Sequence, residues 1–236
     1  MIRRATSGPS RRSPHFERFY ADLEVDLARM PCGSGRGLVG AEAPAPKHVR
    51  LAPQVTHWLF ALTSALDTHV PRTMALIVSH PKIYRDVRAE IARTDFGDPR
   101  DLRALGLLER CVLETLRLWT ATPLLFRRLS AEGPARGEPE EVILPLSYLH
   151  RDPSCFEGDH DRFAPDRSGG DDRLPAFQFG VGARDCAGRA LALSVMTLAV
   201  ARVLDGDELS LVSSSILDGE KVRAHCDPFA LRFRRR

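Results

Sequence analysis

FGVGARDCAG, residues 179–188, places Phe179, Gly182, Arg184, Cys186 and Gly188 in the spacing F-x-x-G-x-R-x-C-x-G. Five matches at fixed spacing arise by chance in roughly one chain of this length in ten thousand or fewer. Gly180 and Gly182 permit a tight loop with backbone angles closed to other residues. Cys186 stands at the entrance to an apolar run that reads as a buried helix, Ala187 to Leu204 (AGRALALSVMTLAVARVL). Backbone N–H groups at such an entrance are unpaired and carry the positive end of the helix dipole. Both effects favour the anionic sulfur that serves as nucleophile or metal ligand. The bland alternative is a buried structural cysteine before a core helix, the ordinary state of a free Cys. The five-point spacing sets Cys186 apart from it.

Upstream, helical spacing dominates. His15 to Met30 (HFERFYADLEVDLARM) predicts a helix, and Pro31 to Pro46 reads as a Gly/Pro-rich linker. Pro53 to Ser79 is apolar on most sides, as expected of a buried helix, with Pro71 expected to bend or break it. His80-Pro81 ends it, and Lys82 to Arg93 begins an amphipathic helix. Asp101 to Trp119 follows, with Leu105, Leu108, Val112, Leu116 and Trp119 on one stripe. Between Pro123 and Leu149, short apolar runs (PLLF, VILPL) broken by Gly and Pro predict strands. Residues 150–185 read as loop, and ELSLV and FALRFRR in the tail as short strands. The expected class is mainly α with minor β, with residues 1–52 as a disordered stretch, one helix and a linker ahead of a domain over 53–236.

The 179–188 loop resembles the cysteine-ligand loop of cytochromes P450. That resemblance implies haem b, with Cys186 as axial thiolate to iron, a ligand that favours O–O cleavage. Phe179 would then shield the sulfur, Arg184 would reach a haem propionate and Gly188 would let the helix approach the porphyrin. Other matches occur in the family's order. Glu114-Thr-Leu-Arg117 resembles its E-x-x-R, an i, i+3 pair sharing one helical face. Arg117 precedes Cys186 by 69 positions (186 − 117). His150-Arg-Asp-Pro153 with Phe163-Ala-Pro-Asp-Arg167 resembles the family's H-R-D-P and F-x-P-x-R, so Arg167 would join Glu114 and Arg117. Such a buried charge cluster is costly unless every member is paired. Arg127 resembles a strand arginine that meets a propionate, with Arg128 equally reachable. The resemblance implies the C-terminal part of the cytochrome P450 fold: its I, J, K and L helices plus small sheets.

Two departures bear on activity. The I-helix signature A/G-G-x-D/E-T maps onto Ala61-Leu-Thr-Ser-Ala65, with Leu62, Ser64 and Ala65 in place of the glycine, acid and threonine. Asp67-Thr68 lies three residues on, roughly 4.5 Å further along a helix axis. Thr63 is the nearest distal hydroxyl. Family members are also about twice as long, and a chain lacking their N-terminal half is expected to expose apolar helix faces. The resemblance implies a monooxygenase that inserts one oxygen atom into a small organic substrate, with electrons from a ferredoxin-type or reductase donor. The departures leave open a truncated, inactive haem-binding remnant, and also a peroxygenase or isomerase.

Composition is that of an ordinary globular chain: 236 residues, 43% hydrophobic and 28% charged, with net charge +3. So small an excess, much of it in arginines near the two ends, does not point to nucleic acid. Five cysteines with no CxxC pair argue against a disulfide framework or a zinc site, and for a reducing cytoplasm. No apolar stretch reaches membrane-spanning length without charge, and MIRRATSGPSRRSPHF lacks the apolar core of a signal peptide, so no membrane partner is expected.

Overall fold

The computed structural model describes residues 14–29, 51–97, 104–129, 140–154, 159–169, 177–180, 182, 185–213 and 215–235. The chain divides into two units, Met1–Leu62 and Thr63–Arg236. The first holds α1 (Pro14–Arg29) and the beginning of α2 (Leu51–Val78). Within it Tyr20 is buried and meets Phe19 edge-on, ring centroids 5.4 Å apart. Trp58, Leu59 and Phe60 are exposed, Phe60 by 74%. The expectation of a buried helix is therefore corrected: α2 is buried continuously only from Thr73 to Ile77. An apolar run shows that a helix has faces to cover, not what covers them. Pro71 lies inside α2, which continues through it, so the proline does not break the helix.

The second unit is built on the end of α2, α3 (Pro81–Ile91), α4 (Gly106–Leu118) and α6 (Arg189–Leu204). His80 has an extended backbone and Pro81 opens α3, a position where the missing N–H costs nothing. The entrance to α4 has no side-chain cap of its own. Glu90 of α3 supplies one, its carboxylate accepting from Leu107 N at 2.8 Å and Leu108 N at 2.9 Å. These are orphan donors of a first turn, and a negative charge also suits the dipole there. The predicted stripe of α4 is buried throughout: Leu105, Leu108, Val112, Leu116 and Trp119.

Three antiparallel pairs complete the unit: β1 (Leu124–Leu129) with β2 (Glu140–Pro145), β3 (Leu209–Leu211) with β6 (Phe233–Arg235), and β4 (Leu217–Asp218) with β5 (Lys221–Val222). A single turn, α5 (Leu146–Leu149), follows β2. The fold is thus mostly helical with small sheets, as the pattern predicted. The main core packs Leu76 and Ile77 of α2 with Val87 of α3, Leu108 of α4 and Leu204 of α6. Each such side chain contributes about 1.5–3 kcal/mol on burial. A smaller cluster joins Leu66 and Val70 of α2, Val112 and Leu116 of α4, and Leu193 and Met196 of α6, with Phe179 packed against it. Helix α6 contributes to both clusters along one face, and Leu191 and Val203 are exposed, which corrects the expectation of a buried helix.

The C-terminal segment is tied back by Arg72 of α2. Its Nε and Nη2 donate to the Cys226 carbonyl at 3.1 and 2.6 Å, and its guanidinium lies 5.8 Å from the Trp119 ring centre. Trp119 Nε1 in turn donates to Arg223 O at 2.9 Å. No helix among the described residues is long and apolar enough to cross a membrane.

Candidate functional site

Phe179 ends a short 3-10 turn, Phe177–Phe179. Gly180 and Gly182 then take φ of 77° and 73°, the left-handed region that a side chain disfavours. The Asp185 N–H donates to Gly182 O at 3.0 Å and closes the loop. Cys186 follows, its N–H donating to Phe179 O at 2.8 Å, and its own carbonyl accepts from Arg189 N at 3.1 Å, where α6 begins. The Cys186 backbone is thus fixed on both sides, and its side chain is exposed. The Phe179 ring lies against the small core cluster, and the Arg189 guanidinium stands 5.3 Å from its centre. Phe179 therefore anchors the loop to the cluster that α4 and α6 form. Arg184 lies outside the described residues.

Two glycines of the loop leave room for a ligand, and one of them borders the sulfur. A Cβ placed on Gly182 would meet nothing within 4 Å, and one on Gly188 would lie 3.9 Å from Cys186 Sγ. No group of three or more His, Cys, Asp or Glu side chains among the described residues is placed to hold a metal ion. An exposed sulfur with no neighbouring ligands among the described residues fits a metal that brings its other ligands with it, as in a macrocycle. It does not fit a bare ion, which needs several protein donors.

Behind the loop lies a buried ion cluster. Glu114 and Arg117 of α4 are 1% and 5% exposed. They pair in the two-bond geometry, Nε to Oε2 at 2.7 Å and Nη2 to Oε1 at 2.8 Å. Arg167 brings its Nε to 3.5 Å from Glu114 Oε1, and Ala164 N donates to the same oxygen at 3.2 Å. Arg117 Nη1 also donates to His150 O at 2.5 Å and His160 O at 2.9 Å. Arg167 Nη2 donates to Asp159 O. The structure thus brings together the three charges that the sequence grouped. The guanidiniums also bind main-chain carbonyls, so the cluster braces residues 150 and 159–167 against α4. Arg151 extends the brace through Asp161 Oδ1 at 2.7 Å and Val222 O at 3.0 Å.

His150 contributes more than its motif suggested. Its Nδ1 lies 3.1 Å from Arg117 O, and a carbonyl only accepts, so Nδ1 carries a proton. Its ring is stacked on Phe177 at 6.3 Å, which links the ion cluster to the turn entering the ligand loop. Burial, reinforced by the Arg117 charge and opposed by the hydrogen bond to Arg117 O, lowers its pKa to about 4. The H-R-D-P run marked this position in the sequence; the stacking partner, 27 residues on (177 − 150), gave no signal.

The remaining candidates stand apart. Arg127 is half-buried on β1, opposite Val142, and donates to Phe126 O at 3.0 Å. The Arg128 side chain lies outside the described residues. Thr63 is exposed on α2.

A family model for cytochrome P450 matches residues 51–216. The chain is 32% identical to "Cytochrome P450 81F4" of Arabidopsis thaliana over 171 residues, which covers 66% of this chain and 33% of the relative. It is 29% identical to methyltetrahydroprotoberberine 14-monooxygenase of Papaver somniferum over 156 residues, 59% and 30% of the two chains. It is 28% identical to isoflavone 2'-hydroxylase of Medicago truncatula over 170 residues, 68% and 34% of the two chains. The chain therefore spans about a third of the length of these relatives. Membership implies a haem cofactor, and the family generally works with organic substrates and a redox partner. A match over residues 51–216, which include the ion cluster and the cysteine loop, assigns this chain to the cytochrome P450 family.

Proposed function

We propose that this chain forms the haem-binding part of a haem-thiolate monooxygenase that inserts one oxygen atom into a small organic substrate. The observation that carries the reading is Cys186, exposed on a loop whose backbone is fixed by Phe179 O before it and by the start of α6 after it. Haem b, when bound, supplies the iron, and a thiolate donor to that iron favours O–O cleavage. The chain's own residues hold the geometry. Cys186 would hold the iron through its sulfur, and Gly188 leaves the space beside that sulfur free of a side chain. Glu114, Arg117 and Arg167 keep residues 150 and 159–167 in place, and His150 passes that order to Phe177. Arg184 and Arg127 supply positive charge for the propionates. Thr63 offers the nearest alcohol for a proton. A ferredoxin-type or reductase protein is the electron donor. The thiols of Cys111, Cys186 and Cys226 are free, which suits a reducing compartment such as the cytoplasm. Two similar proteins carry names that denote oxygen insertion, a monooxygenase and a hydroxylase, which supports the reaction class.

The stretch Ala61 to Ala65 favours a second reading, haem binding without an oxygen-activating relay, either as an inactive remnant or as a peroxygenase or isomerase. Neither an acid nor a threonine occupies its last two places.

The test is the absorption spectrum of the haem-reconstituted full chain, reduced and exposed to carbon monoxide. A strongly red-shifted Soret band in the wild type, lost in Cys186→Ala, is expected. No haem uptake, or a band unchanged by the substitution, overturns the proposal. Peroxide-driven substrate oxidation without a reductase would select the peroxygenase reading.

A further inference from the structure

The Cys186 N–H is shared between two acceptors. Phe179 O takes it at 2.8 Å, and the Asp185 carboxylate, through Oδ1, at 2.9 Å. The first bond closes the loop and needs no charge. The second holds a carboxylate within one peptide unit of the residue that carries the sulfur. The loop shape does not demand this acid, because an asparagine oxygen would accept the same hydrogen bond. What the acid adds is a negative charge.

We propose that Asp185 lowers the reduction potential of the metal centre held at Cys186; the proposal rests on the reading of Cys186 as the axial ligand. Reduction adds one electron, delivered by a one-electron donor, to ferric haem and makes the centre more negative by one charge. The fixed carboxylate repels that added charge, so the ferrous form is disfavoured. Charge, hydrogen bonding and exposure around an axial sulfur are the protein's levers on such a potential. Asp185 acts through Cys186 and is a positioning residue. Its consequence is selectivity for a strong reductant: the centre stays oxidised until a donor of low potential docks.

The experiment is a spectroelectrochemical titration of the haem-reconstituted full chain. Asp185→Asn keeps an acceptor for the Cys186 N–H and removes the charge; Asp185→Glu keeps the charge. For Asp185→Asn, the ferrous-to-ferric ratio at a fixed potential is expected to rise about tenfold, which is about 59 mV for a one-electron couple. Asp185→Glu should stay near the wild type. Raising salt to 1 M shortens the screening length to about 3 Å, so the wild-type potential should climb toward that of Asp185→Asn. An Asp185→Asn ratio equal to the wild type overturns the proposal, as does an Asp185→Glu shift of the same size as Asp185→Asn. The salt arm needs no variant, so a substitution that fails to fold still leaves a test: a wild-type potential indifferent to salt is a refutation. A wild type that takes up haem but fails these arms defeats this inference alone. A wild type that takes up no haem defeats it together with the monooxygenase reading.

Discussion

Glu114 receives two hydrogen bonds from Arg117 and a third from Ala164 N, so removing its carboxylate strands a guanidinium in the protein interior. Breaking one side of a buried pair costs about 3–5 kcal/mol, because the surviving charge has lost both water and partner. Whole domains are stable by only about 5–15 kcal/mol. Glu114→Ala is therefore expected to lower the urea midpoint by a large fraction of its wild-type value. Arg117→Lys should also destabilise the fold, since an ammonium cannot reproduce the two-bond fork and still reach the carbonyls of His150 and His160. A midpoint within error of the wild type for Glu114→Ala would show that the cluster does not brace the unit.

His69 and His150 set the response to acid. Each has its pKa lowered from 6.5 to about 4, mainly by burial, and His69 also by the Arg72 charge. The native state therefore binds fewer protons than the unfolded chain between those values. Stability is full above pH 6.5 and falls as the pH drops from 6.5 to about 4. Each histidine accounts for about 3 kcal/mol at the end of that window. His69 Nδ1 has no hydrogen-bond partner among the described residues. Replacing it with leucine removes a desolvated polar group that native structure does not repay. His69→Leu is thus expected to flatten about half of the loss in urea stability measured from pH 7 to pH 4.5. An unchanged pH profile would count against buried, neutral His69.

At the scale of elements, Pro71 gives no N–H to the carbonyl of Asp67, yet α2 continues through it. A proline inside a helix costs about 3 kcal/mol relative to alanine, and the stiffer unfolded chain returns about 0.4–1 kcal/mol. Pro71→Ala should therefore stabilise the fold by about 2 kcal/mol, read from the thermal midpoint. A drop in the midpoint would mean that the ring's packing outweighs the missing bond. What was legible at this scale follows one rule. Signals confined to neighbouring residues could be read: the left-handed glycines, the i, i+3 spacing of Glu114 and Arg117, the stripe of α4 and the two strands β1 and β2. Contacts between distant segments could not. Arg72 meets Cys226 across 154 residues, and Glu90 caps α4 from 17 residues upstream. Burial of α2 and α6 was overstated for the same reason, because an apolar helix face carries no address for its cover. Asp185 left no signal either, since the loop pattern allows any residue at that place.

For the molecule as a whole, the described candidate residues and both core clusters lie in the unit from Thr63 onward. The family match begins at residue 51. A chain starting at Leu51 keeps α2 whole and is expected to bind haem with the same affinity and the same carbon monoxide spectrum as the full chain. Loss of haem binding on this deletion would assign residues 1–50 a role in the site. The same unit displays apolar side chains on its hairpin: Phe126 faces Ile143 across the β1–β2 register, 66% and 54% exposed, beside Leu124 and Tyr148. Among the described residues no third strand joins β1 and β2, and an exposed apolar face with open edges is a template for association. Side chains already this exposed contribute little to folding, so Phe126→Ser with Ile143→Ser should cost stability only slightly, within about 0.5–1 kcal/mol. Sedimentation of the wild type should show concentration-dependent association that the double substitution reduces. Equal association by both chains would move the sticky surface elsewhere, and the exposed Trp58–Phe60 segment of α2 would be the next to change.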